Sequence, residues 1–295
     1  MTESGPRPFA ADPDVAHRAA AWRLDRVALN VVDLDAASHF YCGALGFGVV
    51  REPVADAELA RLLAVRAVRT TWLRRGGQML ELCACDPQGA PVPPDGRSND
   101  LSFQHCALVT DDMEGAYAQL CRFAFTPISR AGPQVLSGGI VAFKFRDPEG
   151  HPLELIAFAR PDPATAGGID HSAICVADPA ASIAFYAARL GLVAQSRRVN
   201  HGPAQDALDD LDGAVVDVVA LSPAIPSPHV ELLGYRQPHA RVAPIPHPGD
   251  RLASRLVFAS SGRQGDLPAV AGPSGFDLTL LHDPDGHAVL LDDRP

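Results

Sequence analysis

The chain contains a near-copy of part of itself. Residues 24–47, LDRVALNVVDLDAASHFYCGALGF, lie over residues 169–192, IDHSAICVADPAASIAFYAARLGL, with no gap at a constant offset of 145. The superposition sets Asp25 on Asp170, Arg26 on His171, Asp33 on Asp178, Phe40 on Phe185, Tyr41 on Tyr186 and Gly46 on Gly191. An internal repeat constrains a fold more than any single motif, because each copy is one unit that must bury its apolar face against another. An apolar run (Val27–Val32, Ser172–Ala177) predicts a strand. Asp33 or Asp178 follows where an N-cap would open a helix. Phe40, Tyr41 and Leu45 share one helical stripe, and Gly46 ends it as a left-handed glycine cap.

A second similarity lies further along each half: DPEGHPLEL at 147–155 and DPDGHAVLL at 283–291. Asp, then Pro, with Gly at the fourth position is the pattern of a type I turn. Apolar segments on both sides make each turn the tip of a hairpin. Phe103–Thr110, then Asp112, then Met113–Phe123 predict another strand, cap and helix. The Pro-rich connectors DPQGAPVPPDGRSND (86–100) and QPHARVAPIPHPGD (237–250) separate quarter units, and ARPDPATAGG (159–168) separates the halves. The coarse reading is an α+β chain of four copies of strand–helix–strand–strand–strand. The fourth copy is degraded, since SSGRQGDLPAVAGPSG (260–275) barely supports a helix. The expected division is a tail at 1–21, a domain at 22–159, a linker at 160–167 and a domain at 168–295.

Two domains also suit 295 residues. A net charge of −10 argues against a nucleic-acid footprint, which needs clustered Lys and Arg. No apolar run is long enough to span a membrane as a helix. The first twenty residues lack the basic and apolar regions of a signal peptide, and the six scattered cysteines read as reduced thiols, so a cytoplasmic location is expected.

A βαβββ unit used four times, with Asp caps, an FY…LGF helix end and a DPxGHxxEL hairpin, resembles the vicinal oxygen chelate superfamily over about residues 22–292. That group holds glyoxalases, extradiol ring-cleaving dioxygenases, methylmalonyl-CoA epimerases, and fosfomycin- and bleomycin-resistance proteins. The scaffold hosts several chemistries, so fold follows from the resemblance more firmly than reaction does. The resemblance implies a glyoxalase-like α+β fold: four βαβββ modules paired into two domains of curved mixed sheets, helices outside, each pair enclosing a cleft with a divalent metal. Its ligands come from the first and last strands of each module. First-strand positions fall on Arg26, His105, His171 and, in the fourth module, Ser254 or Arg255. Last-strand positions fall on Glu81, Glu154, Glu231 and Leu290.

The first domain then offers Glu81, His105 and Glu154 as metal ligands, with Glu81 and Glu154 as catalytic carboxylates. Strand alternation turns each Glu away from its flanking leucines, and a carboxylate buried that way needs a cation or donors. One imidazole and two carboxylates suit Fe, Mn, Ni, Co or Zn in an open site. Arg26 departs from the pattern, because a guanidinium cannot ligate. It either aims at an anionic substrate or pairs with Glu81 or Glu154 in place of a metal. The second domain would keep only His171 and Glu231, a weaker cleft holding no tight metal. His151 and His287 read as turn residues, and Cys83 and Cys85 as buried thiols on the Glu81 face.

The resemblance thus implies a metal-dependent lyase or isomerase acting on a small oxygenated metabolite by proton transfer beside a carbonyl. Two alternatives stand beside it: an extradiol dioxygenase, whose two-His set Arg26 interrupts, and a non-catalytic small-molecule binder of the bleomycin-resistance type. A small molecule is the expected partner, and a homo-oligomer is open.

Overall fold

The computed structural model describes residues 22–160, 166–224, 228–260 and 278–294. The expected tail at 1–21 and the weak helix sought after Ser260 lie outside the described residues. The first module runs β1 (Trp22–Asn30), α1 (Leu34–Leu45), β2 (Gly48–Ala55), a short α2 (Ala57–Leu62), β3 (Ala67–Arg75) and β4 (Gln78–Asp86). The second runs β5 (Gln104–Val109), α3 (Met113–Leu120), the two-residue strands β6 (Thr126–Pro127) and β7 (Gln134–Val135), β8 (Val141–Arg146) and β9 (Pro152–Ala157). The third is β10 (Ile169–Cys175), α4 (Pro179–Leu190), β11 (Val193–His201), α5 (Pro203–Asp209), β12 (Val215–Ser222) and β13 (His229–Gln237). The fourth contributes β14 (Arg255–Ser260), β15 (Leu278–His282) and β16 (Ala288–Asp292).

The local signals behave as their chemistry requires. Asp33 accepts from the amides of Asp35 and Ala36, and Asp178 from that of Ala180. Both helices close on a glycine, Gly46 at φ 72° and Gly191 at φ 67°, a conformation that penalises a Cβ. Each Asp-Pro turn closes with the glycine amide on the aspartate carbonyl, at 3.0 Å for Gly150 and 3.1 Å for Gly286.

The module pairing differs from chain order. One sheet runs β15-β16-β14-β1-β4-β3-β2, joining the first module to the fourth. The other runs β11-β12-β13-β10-β5-β9-β8-β6 and joins the second to the third. The strands of residues 22–86 therefore share a sheet with those of 255–292, not with those of 104–157. Connector length gives the reason. The short stretch after β9 leads directly to β10, which pairs antiparallel with β5 at the middle of the second sheet. The two long Pro-rich connectors cross between sheets and run against each other. Leu101 N–H donates to the Arg241 carbonyl at 2.9 Å, and Arg241 N–H to that of Asn99 at 2.7 Å. A Cβ on Gly89 would stand 2.2 Å from the Gly249 carbonyl oxygen, so this crossing requires glycine.

One face of each sheet turns toward a shared interior. Leu80 and Leu82 of β4, Phe40 and Tyr41 of α1, and Leu153 and Leu155 of β9 belong to one core that bridges the sheets. Tyr186, Val219, Leu232, Leu256 and Phe258 form its counterpart. The repeated FY and DPxGH motifs pin these cores. Tyr41 donates to Asp147 at 2.8 Å, Asp147 holds His151 Nδ1 at 2.9 Å, and His151 Nε2 reaches the Asn30 carbonyl of β1 at 2.9 Å. In the other half Tyr186 meets Asp283 at 3.2 Å, and His287 Nε2 reaches the Cys175 carbonyl at 2.8 Å. His151 and His287 are structural, as their turn positions suggest. Among the described residues no helix is long and apolar enough to cross a membrane.

Candidate metal centre

The faces turned away from the shared interior carry the ligand positions, and strand register fixes which residues correspond. Glu154 lies opposite Ala107, two residues past His105, and Glu231 lies opposite Ala173, two past His171. In the first sheet Glu81 lies opposite Ala28, two past Arg26, and Leu290 opposite Val257, two past Arg255. Arg255, not Ser254, is therefore the fourth first-strand position. The second sheet holds His105, Glu154, His171 and Glu231 where the first holds Arg255, Leu290, Arg26 and Glu81.

All four second-sheet residues are buried and meet at the β5/β10 seam. His105 Nε2 donates to Glu154 Oε2 at 2.9 Å, and His171 Nε2 stands 3.6 Å from that oxygen and 3.6 Å from Glu231 Oε2. One donor atom each from His105, Glu154 and His171 falls within 4.8 Å of the others. Around them is an outer set. Asp170 takes the Nδ1 proton of His171 at 2.8 Å, which aims Nε2 inward. Arg198 at 2.9 Å and His229 at 3.5 Å hold Glu231 Oε1, leaving Oε2 to face His171.

The expected trio of Glu81, His105 and Glu154 is thus corrected: only His105 and Glu154 come together, and their companions are His171 and Glu231. The supposedly weaker cleft supplies half of the stronger one. Glu81 belongs to an ion-pair lock in the other sheet. Arg26 Nε donates to Glu81 Oε2 at 2.8 Å, its Nη2 to Asp292 at 2.5 Å and its Nη1 to Asp25 at 3.0 Å, while Trp72 donates to Glu81 Oε1 at 3.2 Å. Buried Arg255 donates to Asn30 Oδ1 at 2.9 Å, and Leu290 packs with Cys83 and Cys85 on that face. A guanidinium occupies each first-strand position, so of the two readings of Arg26, pairing with Glu81 holds.

Electrostatics agree with a cation site in the second sheet. Burial would push His171 down, but Glu231, Asp170 and Glu154 push it up to about 10, so the surroundings favour positive charge at this point. The same contacts hold Glu154 and Glu231 below the usual carboxylate range against the opposing pull of burial. His105 is lowered by burial and by nearby Lys144, which keeps its imidazole neutral and able to ligate. Its Nδ1 is buried with no hydrogen-bond partner among the described residues. Two imidazoles and the Glu154 carboxylate, with Glu231 beside His171, fit a divalent ion with open positions.

The centre opens into a cavity of about 730 Å³, within the range of small-molecule sites. Leu136, Ile140, Phe158, Val216 and Val218 supply apolar wall. Lys144, the register partner of Glu154, projects into it from β8. Lys144, Asp209, His229, Asp170 and Arg198 are groups that the sequence reading passed over. Two left a trace: Asp170 adjoins His171, and His229 stands two residues before Glu231, hence on its face. Lys144 and Asp209 left none, because only folding brings them together.

Residues 23–155 match the family model of the Glyoxalase/Bleomycin resistance protein/Dioxygenase superfamily. Glyoxalase I from Zea mays is similar in fold, with a TM-score of 0.61 at 18% identity over 92% of each chain. A putative dioxygenase from Bacillus subtilis has a TM-score of 0.53 at 13% identity, covering 92% of this chain and 86% of that one. No curated protein sequence matches the chain. Over residues 23–155 the chain carries this superfamily's pattern, and the whole chain shares the fold: two mixed sheets built from βαβββ-like modules, with a candidate metal-binding site in one of them.

Proposed function

We propose that this chain is a metal-dependent enzyme that moves a proton beside a carbonyl of a small oxygenated metabolite, in the manner of glyoxalases and epimerases. The observation that carries the reading is the buried meeting of His105, Glu154, His171 and Glu231 at the head of one large cavity. These four would hold the ion, drawn from Fe, Mn, Ni, Co or Zn. When bound, it would polarise two substrate oxygens and make the adjacent C–H more acidic.

The remaining steps belong to the protein. Asp170 holds His171 with its Nε2 toward the centre, and Arg198 and His229 restrain Glu231 through Oε1. Glu154 differs, since its Oε2 is shared by His105 and His171. Imidazoles that ligate through Nε2 have no proton there to give Glu154, which leaves its carboxylate as the acceptor for a substrate proton. His105, Glu154 and His171 alone make the two-His, one-carboxylate set that ring-cleaving oxygenases also use, and Glu231, with Oε2 3.6 Å from His171 Nε2, would add a second carboxylate to it.

The test is proton exchange. The protein loaded with Co²⁺ or Ni²⁺ is incubated in D₂O with a panel of 2-oxo and 2-hydroxy acids and hemithioacetals, and deuterium beside the carbonyl is read by NMR. Incorporation that disappears in Glu154→Gln supports the reading. Oxygen uptake with catechols and no exchange would favour the dioxygenase, and neither reaction in metal-loaded protein would favour the binder.

A further inference from the structure

At the floor of the cavity three donors converge on one buried carboxylate. Lys144 Nζ donates to Asp209 Oδ1 at 2.7 Å, while Gln205 at 2.7 Å and the Tyr235 hydroxyl at 2.9 Å donate to Oδ2. The Lys144 side chain is 4% exposed and that of Asp209 fully buried. Each comes from a different place: Lys144 from β8, Gln205 and Asp209 from α5, and Tyr235 from β13. A buried ion pair rarely adds stability over apolar packing of equal volume, so its placement calls for another reason. Asp209 is satisfied by its own donors, whereas Lys144 has spent one of its three N–H groups on it. Lys144, Gln205 and Tyr235 all line the cavity, and Asp209 anchors their heads.

We infer that Lys144 is the recognition group for an anionic oxygen of the substrate, held in place by Asp209, and that the substrate is a small organic acid with an apolar portion. This rests on the proposed metal-dependent function and names the substrate class for that site. Two substrate oxygens would face the metal ligands. A further carboxylate or enolate oxygen would take the free N–H groups of Lys144, one strand away from Glu154. A charge-assisted bond of this kind gives direction as well as affinity. The apolar wall formed by Leu136, Ile140, Phe158, Val216 and Val218 would receive the rest of the molecule.

The test uses the full chain loaded with Co²⁺, whose visible band reports both metal and chelator. Oxalate chelates through two oxygens and presents two more anionic oxygens outward, whereas acetohydroxamate chelates without a further charge. Both are titrated into the wild type and into the Lys144→Met/Asp209→Asn double variant. The variant removes one charge of each sign, so it leaves no buried charge unpaired and does not change the cavity's net charge. The expected result is a cobalt band in both proteins, at least tenfold weaker oxalate binding in the variant, and acetohydroxamate affinity unchanged within twofold. The Lys144→Arg protein, which keeps the cation, should retain part of the oxalate affinity. Equal oxalate affinity in wild type and double variant, or equal loss for both chelators, would overturn the substrate class while leaving the metal reading standing. Absence of the cobalt band from wild type would overturn the metal reading and the substrate class with it.

Discussion

Arg26 shows how a single residue can close a site that its counterpart leaves open. Its guanidinium stands at the register position of His171 and is spent on Glu81, Asp292 and Asp25, all close by. Arg26→Ala would leave the buried Glu81 and Asp292 without their cation, a loss of about 3–5 kcal/mol. Thermal melting should show that loss, while metal content stays that of the wild type. His151 makes a second prediction of this kind. Burial alone would lower its pKa, but Asp147 at 2.9 Å raises it above the ordinary 6.5, and Asp147 in turn falls below 3.8. A raised histidine stabilises fully below its unfolded pKa and ceases to do so as pH climbs through the folded value. A lowered aspartate stabilises above its unfolded pKa and ceases to do so on acidification. The pin is therefore strongest between pH 3.8 and 6.5. The melting temperature of His151→Gln should lie furthest below wild type inside that window and approach it as pH rises beyond. A constant difference up to pH 9 would contradict this assignment.

Elements were legible wherever the signal was local. Asp caps, glycine ends and Asp-Pro turns act through neighbours a few residues away, and the helices at Leu34–Leu45 and Pro179–Leu190 begin and end on them. Asp33→Ala removes the acceptor for two first-turn amides and should cost about 1 kcal/mol by denaturant unfolding. Elements with weaker local signals escaped: α2 and α5 are short, and β6 and β7 have two residues each. The escape of α5 matters for function, since it supplies Asp209 and Gln205 to the cavity floor. Pairing between modules was not legible from the repeat, because each first strand offers the same apolar edge to several partners. A trace existed in the ligands themselves. Modules two and three keep His and Glu together, while modules one and four have lost them or carry arginine.

For the whole molecule, two sheets of common design have taken different routes to neutralising a buried carboxylate. In one, the arginine beside it on the neighbouring strand pairs with Glu81, and in the other, two histidines and Glu154 cluster with the chemistry to hold a metal. The Tyr–Asp–His pins and the crossed connectors bind the two sheets together, so the closed sheet buttresses the open one. Metal stoichiometry by elemental analysis of the purified, dialysed protein, compared between His171→Ala and Glu81→Gln, tests this division most directly. The account predicts one divalent ion per chain in wild type and in Glu81→Gln, and none in His171→Ala. Metal retained by His171→Ala but lost from Glu81→Gln would contradict it.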